Sequence, residues 1–385
     1  MVVVKKVSAS KILDSRKEET ILVKIKTNVG IFSASSPNGK SKGKFEAKSY
    51  KKNLESDIKA LNDFSDYFSK EIIESFADLR RIEDITDRNI GANTLFALES
   101  AILKALAKEQ KKQVWELIKK SNLKRLPRLV GNVVGGGKHS SNGRKPDFQE
   151  FELIPKTKSV KEAYEKNKKI KKDVENLLRE RDKKFSSEKN DENAWRTTLT
   201  DKEVLDILIK TKIPIGLDIA ASSFYKRKKY NYKNPLFKRT SQEQLMYLSN
   251  LIKNYGLVYV EDAFGEEEFE SFASLLKKFP DCLIVGDDLT TTNVKRLQKA
   301  IENKSINAII IKPNQIGSLL KVQEVVELAK KNNIQTIFSH RSGETDETIL
   351  ADLAFGFQAD FFKCGTEGDA RVEKIKRLIE IEKSL

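Results

Sequence analysis

The chain has 385 residues, of which 39% are hydrophobic, and carries a net charge of +16. That much apolar material over that length excludes global disorder and a single small module, and it suits two domains, one of them a possible barrel. No apolar run is long enough to span a bilayer, and the start Met-Val-Val-Val-Lys-Lys lacks a signal-peptide pattern, so a cytoplasmic protein is expected.

Residues 1–126 read as an α+β domain. Ile21-Leu-Val-Lys-Ile-Lys and Gly30-Ile-Phe-Ser-Ala alternate like the two strands of a hairpin. A polar loop at 36–43 follows, then shorter helical stretches over 48–69 and 70–79. A strong helix is predicted over Asn93–Gln110, with Leu95, Leu98, Ala101, Ile102 and Ala105 on one face. Pro127, in Arg125-Leu-Pro-Arg-Leu, marks a boundary, and residues 127–385 form the second domain.

Lys156–Lys184 carries much of the positive charge. Lys alternates there with Glu and few aromatics intervene, the pattern of a solvated helix face and not of a nucleic-acid groove. No RNA-module or zinc-finger spacing is present, so specific nucleic-acid binding is not expected. Cys282 and Cys364 stand alone near strand ends, as small buried residues do in a reducing compartment.

From Ile213 onward, short apolar strands alternate with amphipathic helices. The strands are Ile213–Leu217, Leu257–Val260, Cys282–Val285, Ala308–Ile311, Thr336–Phe338 and Asp360–Phe362. Strands apolar throughout, each followed by a helix, predict a parallel sheet covered on its outside, and so many units favour closure into a (β/α) barrel. The residues just past these strands are Asp218, Glu261, Asp287, Lys312, His340 with Arg341, and Lys363. In a barrel all of them arrive at the C-terminal face, where active sites are built. Three carboxylates without His or Cys suit Mg²⁺ as a ligand set. A lysine opposite such a metal is a candidate base for removing a proton next to a carboxylate.

These segments resemble enolases. Leu217-Asp-Ile-Ala-Ala-Ser, Val260-Glu-Asp-Ala-Phe, Gly286-Asp-Asp-Leu-Thr, Lys312-Pro-Asn-Gln-Ile-Gly and Ser339-His-Arg-Ser-Gly-Glu-Thr look like successive signatures of that family. The likeness extends upstream through Asn132-Val-Val-Gly-Gly-Gly-Lys-His, Gln149-Glu-Phe, Ile90-Gly-Ala-Asn, Ile12-Leu-Asp-Ser-Arg and the loop Pro37-Asn-Gly-Lys-Ser-Lys-Gly. The resemblance implies an enolase-type barrel with a smaller N-terminal α+β domain, and Mg²⁺-dependent dehydration of 2-phosphoglycerate to phosphoenolpyruvate in glycolysis and gluconeogenesis. It also implies two ions with substrate bound and a homodimer or higher oligomer.

The same resemblance implies roles. Asp218, Glu261 and Asp287 hold the first magnesium and Ser41 meets the second. Lys312 is the base; Glu192, in Asn190-Asp-Glu-Asn-Ala, is the acid, assisted by Glu150. Arg341 and Ser342 bind phosphate, Lys363 binds the carboxylate, and His139 and His340 line the substrate. Departures are visible too: Lys40 and Lys42 flank Ser41, Asn193-Ala194 replaces a Gly-Gly pair, and Lys17-Glu-Glu-Thr replaces Gly-Asn-Pro-Thr. Two alternatives stay open: a lyase of the same superfamily acting on a related acid, and a non-catalytic basic binding protein.

Overall fold

The structure is a computed structural model and describes residues 1–40, 43–68, 71–86, 89–118, 125–140 and 143–385. Strands Val2–Leu13, Glu19–Thr27 and Gly30–Ser35 form an antiparallel meander, with the short strand Ile72–Ile73 on its far edge. Val2, Val4 and Val7 are buried with Ile21, Val23 and Ile25 on one face. A register shift between Val4 and Lys6 moves the buried positions of the first strand from even to odd. That shift, with Lys5 and Lys6 inside it, breaks the alternation that would otherwise have marked this strand.

The helix Ala92–Gln110 lies against this sheet. Its burial is not confined to one face: Phe96, Ala97 and Leu103 are buried as well, and Leu95 is only half-buried. The helix is wedged between the sheet and the barrel, where Glu99 accepts the Leu319 N–H at 2.6 Å. The stretch expected to be helical over 48–69 narrows to Leu54–Asp63, because Asn53 caps it by accepting the Ser56 N–H at 2.8 Å. In place of a helix over 70–79 stand the strand Ile72–Ile73 and a 3₁₀ turn, followed by a helix at Leu79–Thr86.

Among the described residues, eight strands close into a barrel: Arg128–Gly135, Glu150–Leu153, Ile215–Asp218, Tyr259–Glu261, Leu283–Gly286, Ala308–Ile311, Gln335–Ser339 and Phe361–Lys363. The last pairs with the first, Lys363 opposite Val130. The six strands foreseen from Ile213 onward are all present and parallel. Glu150–Leu153 instead runs antiparallel to both neighbours. The helix Val160–Arg181 presents an exposed outer face, as its Lys/Glu pattern predicts, but it buries Lys171. Cys282 and Cys364 are buried and free.

Strand alternation divides the barrel wall. Val130, Ile154, Tyr259, Val285, Ala308, Ile310, Ile337 and Phe361 pack on the barrel axis as a separate cluster. Their neighbours Val260, Ile284, Ile309, Ile311, Phe338 and Phe362 face the helices. No helix is long and apolar enough to cross a membrane, among the described residues.

Candidate active site

The period of two carries the charged strand ends inward. Glu261 stands two residues beyond Tyr259, Asp287 beyond Val285, Lys312 beyond Ile310 and Lys363 beyond Phe361, each on the parity of a residue that faces the axis. The antiparallel strand delivers Glu150 from its N-terminal end, opposite Asp218. A small cavity lies among Glu150, Glu192, Asp218, Lys312, Arg341 and Lys363.

On its floor the Lys363 ammonium sits 2.8 Å from Glu261, 3.0 Å from Glu152, 3.2 Å from Asp218 and 3.5 Å from Glu150. Lys312 is ion-paired with Asp287. Gln149 donates to Asp218 at 3.1 Å and Gln315 to Asp287 at 3.2 Å. Burial, then repulsion from Asp218, holds the Glu261 carboxyl up to about 8. Burial pushes Asp287 the same way, but the Lys312 ammonium outweighs it and holds that carboxyl low. Burial by itself would lower Lys312; the Asp287 charge reverses this and keeps it an ammonium above its ordinary range.

One wall of the cavity carries the second group of predicted residues. His139 Nδ1 lies 3.3 Å from Glu192 and 3.4 Å from Glu150. Burial and the Glu150 charge push Glu192 up to about 7. Glu150 is held well below the usual range, because Lys363 and His139 overcome its burial. The loop that carries Glu192 is braced by Asn190, whose Oδ1 accepts the N–H groups of Glu192 at 3.0 Å and Ala194 at 2.9 Å. Asn193 takes φ +62°, a left-handed conformation that Asn tolerates better than most residues, so the turn forms without glycine.

The opposite rim is supplied by the N-terminal domain. Arg341 is gripped by Glu46 at 3.0–3.2 Å, and a Cβ on Gly39 would fall 1.8 Å from its Nη2. The Lys40 N–H donates to Ser342 Oγ at 2.8 Å while its ammonium pairs with Asp191 at 2.5 Å. Ser41 lies outside the described residues.

Two domains with these strand-end residues can be set against known proteins. Residues 4–118 match the family model described as "Enolase, N-terminal domain", and residues 124–385 match "Enolase, C-terminal TIM barrel domain". The chain belongs to the enolase family. An enolase of Methanosphaera stadtmanae is 36% identical over 406 residues, covering 100% of this chain and 97% of its own length. One from Pyrobaculum aerophilum is 38% identical over 326 residues (81% and 78%), and one from Methanocorpusculum labreanum 35% over 395 (96% and 96%).

Enolase membership implies a divalent metal, and the donors fit one. Buried carboxylates with oxygen ligands only, one of them raised by burial and then by its neighbour's charge, are what a hard cation relieves. Among the described residues, the tightest groupings of ligand-type atoms are His139–Glu150–Glu192 and Asp262–Asp287–Asp288, each within 4.8 Å. Asp262 is already committed, accepting the N–H groups of Asp287 at 3.0 Å and Asp288 at 2.8 Å. Asp218 and Glu261 meet across Lys363, so in this arrangement the two lysines carry the compensating charge.

Sequence reasoning missed several groups in the enolase site. Arg371 is fully buried, donates to His340 Nδ1 at 3.0 Å and reaches the carbonyl oxygens of Asp191 at 3.3 Å and Ser342 at 2.8 Å. The signal was available: Arg371 and Lys374 occupy the same helical stripe as Ile375, Leu378 and Ile381, where a solvated helix would keep its cations out. Glu152 and Glu46 were the other omissions.

Proposed function

We propose that this enolase is a phosphopyruvate hydratase, interconverting 2-phosphoglycerate and phosphoenolpyruvate. The observation that carries the reading is that Lys312, Glu192, Arg341 and Lys363 line one and the same cavity. A lysine that becomes a base once it gives up its proton, and a near-neutral acid in the same cavity, suit removal of a C2 proton and expulsion of a C3 hydroxyl.

In this reading Asp218, Glu261 and Asp287 hold a magnesium ion, which when bound supplies positive charge to the substrate's carboxylate end. With Asp287 engaged elsewhere, the Lys312 ammonium first releases a proton to solvent, and the neutral Nζ then takes the C2 proton. The electron pair left at C2 forms the double bond to C3, and the C3–O bond breaks. Glu192 gives its proton to the departing hydroxyl, which leaves as water. Lys363 meets the substrate carboxylate; Arg341 and Ser342 meet the phosphate. His139 and Glu150 set the charge on Glu192, and His340 lines the same wall.

A second magnesium contacting Ser41, a homodimer or higher oligomer and a cytoplasmic location complete the proposal. Lysines dispersed over outer helices suit weak, sequence-indifferent attraction to nucleic acid, and no specific binding is expected. The test is phosphoenolpyruvate absorbance from 2-phosphoglycerate with Mg²⁺ added. Turnover that EDTA abolishes is expected; none under any divalent metal would reject the reading.

A further inference from the structure

The barrel contains a carboxyl group that the proposed chemistry does not use. Glu150 pairs with Asp218 and Glu152 with Gly216, so Glu152 lies one inward-facing layer deeper than the site, about 7 Å along the strand. Tyr259, also opposite Gly216, shares that layer. Gly216 makes the room: a Cβ there would stand 3.2 Å from Glu152 Oε2 and 3.2 Å from Tyr259 Cβ.

Glu152 is fully buried, and neither carboxylate oxygen receives a hydrogen bond among the described residues. The cation in ion-pair reach is Lys363, at 3.0 Å. Burying such a group is costly unless its charge is compensated. Lys363 in turn is claimed by Glu261, Asp218 and Glu150, while an ammonium has only three hydrogens. Glu150 is shared with His139, and Tyr259 donates to Glu261. Glu152 is thus the carboxylate in this group whose compensation depends on Lys363 alone.

We propose that Glu152 is a positioning residue for Lys363, anchoring its ammonium on the barrel axis so that Asp218 and Glu261 are free to take a divalent cation. The proposal rests on the metal-binding role given to those two carboxylates above. Without Glu152, the ammonium would have no partner below the site and would compete with the metal for the same oxygens.

The experiment is a Mg²⁺ titration of thermal stability on the full chain, with Mg²⁺ alone as probe. Four proteins are compared: wild type, Glu152→Gln, Lys363→Met and the double variant. Glu152→Gln should raise the Mg²⁺ midpoint by roughly tenfold or more, as loss of a group orienting a metal site typically does. In the Lys363→Met background the same substitution should shift nothing further. An unchanged midpoint in Glu152→Gln would overturn the proposal. So would a shift that persists undiminished without Lys363, because that would be the distant effect of one lost charge on the metal. Should Glu152→Gln not fold, Glu152→Asp takes its place: it keeps the charge but withdraws it by one methylene, and an unshifted midpoint there also overturns the proposal. A wild-type chain indifferent to Mg²⁺ would sink the metal reading itself, a result distinguishable from the others.

Discussion

Arg371 Nε donates a 3.0 Å hydrogen bond to His340 Nδ1, and that contact determines which imidazole nitrogen carries hydrogen. An Nδ1 that accepts leaves the proton on Nε2, which lies 3.6 Å from Glu192 Oε2. Burial, then the Arg371 charge, pushes His340 far below its ordinary range, so it stays neutral and offers Glu192 a donor. Arg371→Met should therefore lower kcat by roughly a hundredfold, a typical contribution of a positioned proton donor, with a smaller change in KM. With two histidines in the chain, ¹⁵N spectra can follow the tautomer directly. A single Nε2–H form surviving in the variant would show that Arg371 does not set it.

Separate roles for Lys312 and Glu192 should separate in isotope exchange. Lys312→Ala is expected to abolish exchange of the C2 proton with deuterated solvent while the fold persists. Glu192→Gln should retain exchange and lose dehydration, since only the departing hydroxyl is left without its proton. Equal loss of exchange in both variants would mean the two roles are misassigned.

The buried carboxyls give the metal-free protein a defined response to pH. Burial first, in every case, raises Glu192 and Asp288 to about 7 and Glu261 and Asp201 to about 8. Each binds its proton more tightly folded than unfolded, so its contribution to stability is complete below the ordinary carboxylate range and is lost as pH climbs through the folded value. Melting temperature without metal should accordingly fall by roughly 5 °C between about pH 6 and pH 9. Millimolar Mg²⁺ should flatten the decline, because Glu261 then gains from ionising, while Asp201→Asn should reduce it with or without metal. Stability rising over that interval would contradict the assignment.

Two contacts between the first loop and the barrel should differ greatly in strength. Lys40 and Asp191 are 41% and 31% exposed, so Lys40→Ala should cost no more than about 1 kcal/mol. Glu46 and Arg341 are 6% and 3% exposed, and Glu46→Ala removes the carboxylate partner of a buried guanidinium at a cost of roughly 3 kcal/mol. Denaturant unfolding of the two variants measures both. Similar losses would show that the loop closes on the barrel through something other than this ion pair.

The legible parts of the sequence were those in which a local pattern and the final geometry coincide. A parallel strand followed by a helix leaves its mark within a short stretch of sequence, and Asp218, Glu261, Asp287, Lys312 and Lys363 all sit one or two steps past such a mark. Glu152 left none, because Glu150-Phe-Glu-Leu-Ile reads equally well as a strand with one wet face; only barrel closure turns that face inward. Arg371 was hidden for a related reason, since its partners Asp191 and His340 lie 180 and 31 residues away. The first strand was obscured by its own irregularity between Val4 and Lys6.

Closure of the barrel by its first and last strands also has a bearing on how the chain reaches this state. Lys363 meets Asp218 across 145 residues and Glu261 across 102. Until its strand docks between Gln335–Ser339 and Arg128–Gly135, an assembled wall would confine Glu150, Glu152, Asp218 and Glu261 without their ammonium. Those carboxylates would hold water instead, and a partly formed barrel would remain open at that seam. Docking of the Phe361–Lys363 strand is then the step in which the interior dries, and it depends on contacts of high sequence separation, which form slowly. Nascent or truncated chains ending before Phe361 should accordingly be loose, hydrated and readily cleaved, however many barrel strands they already contain.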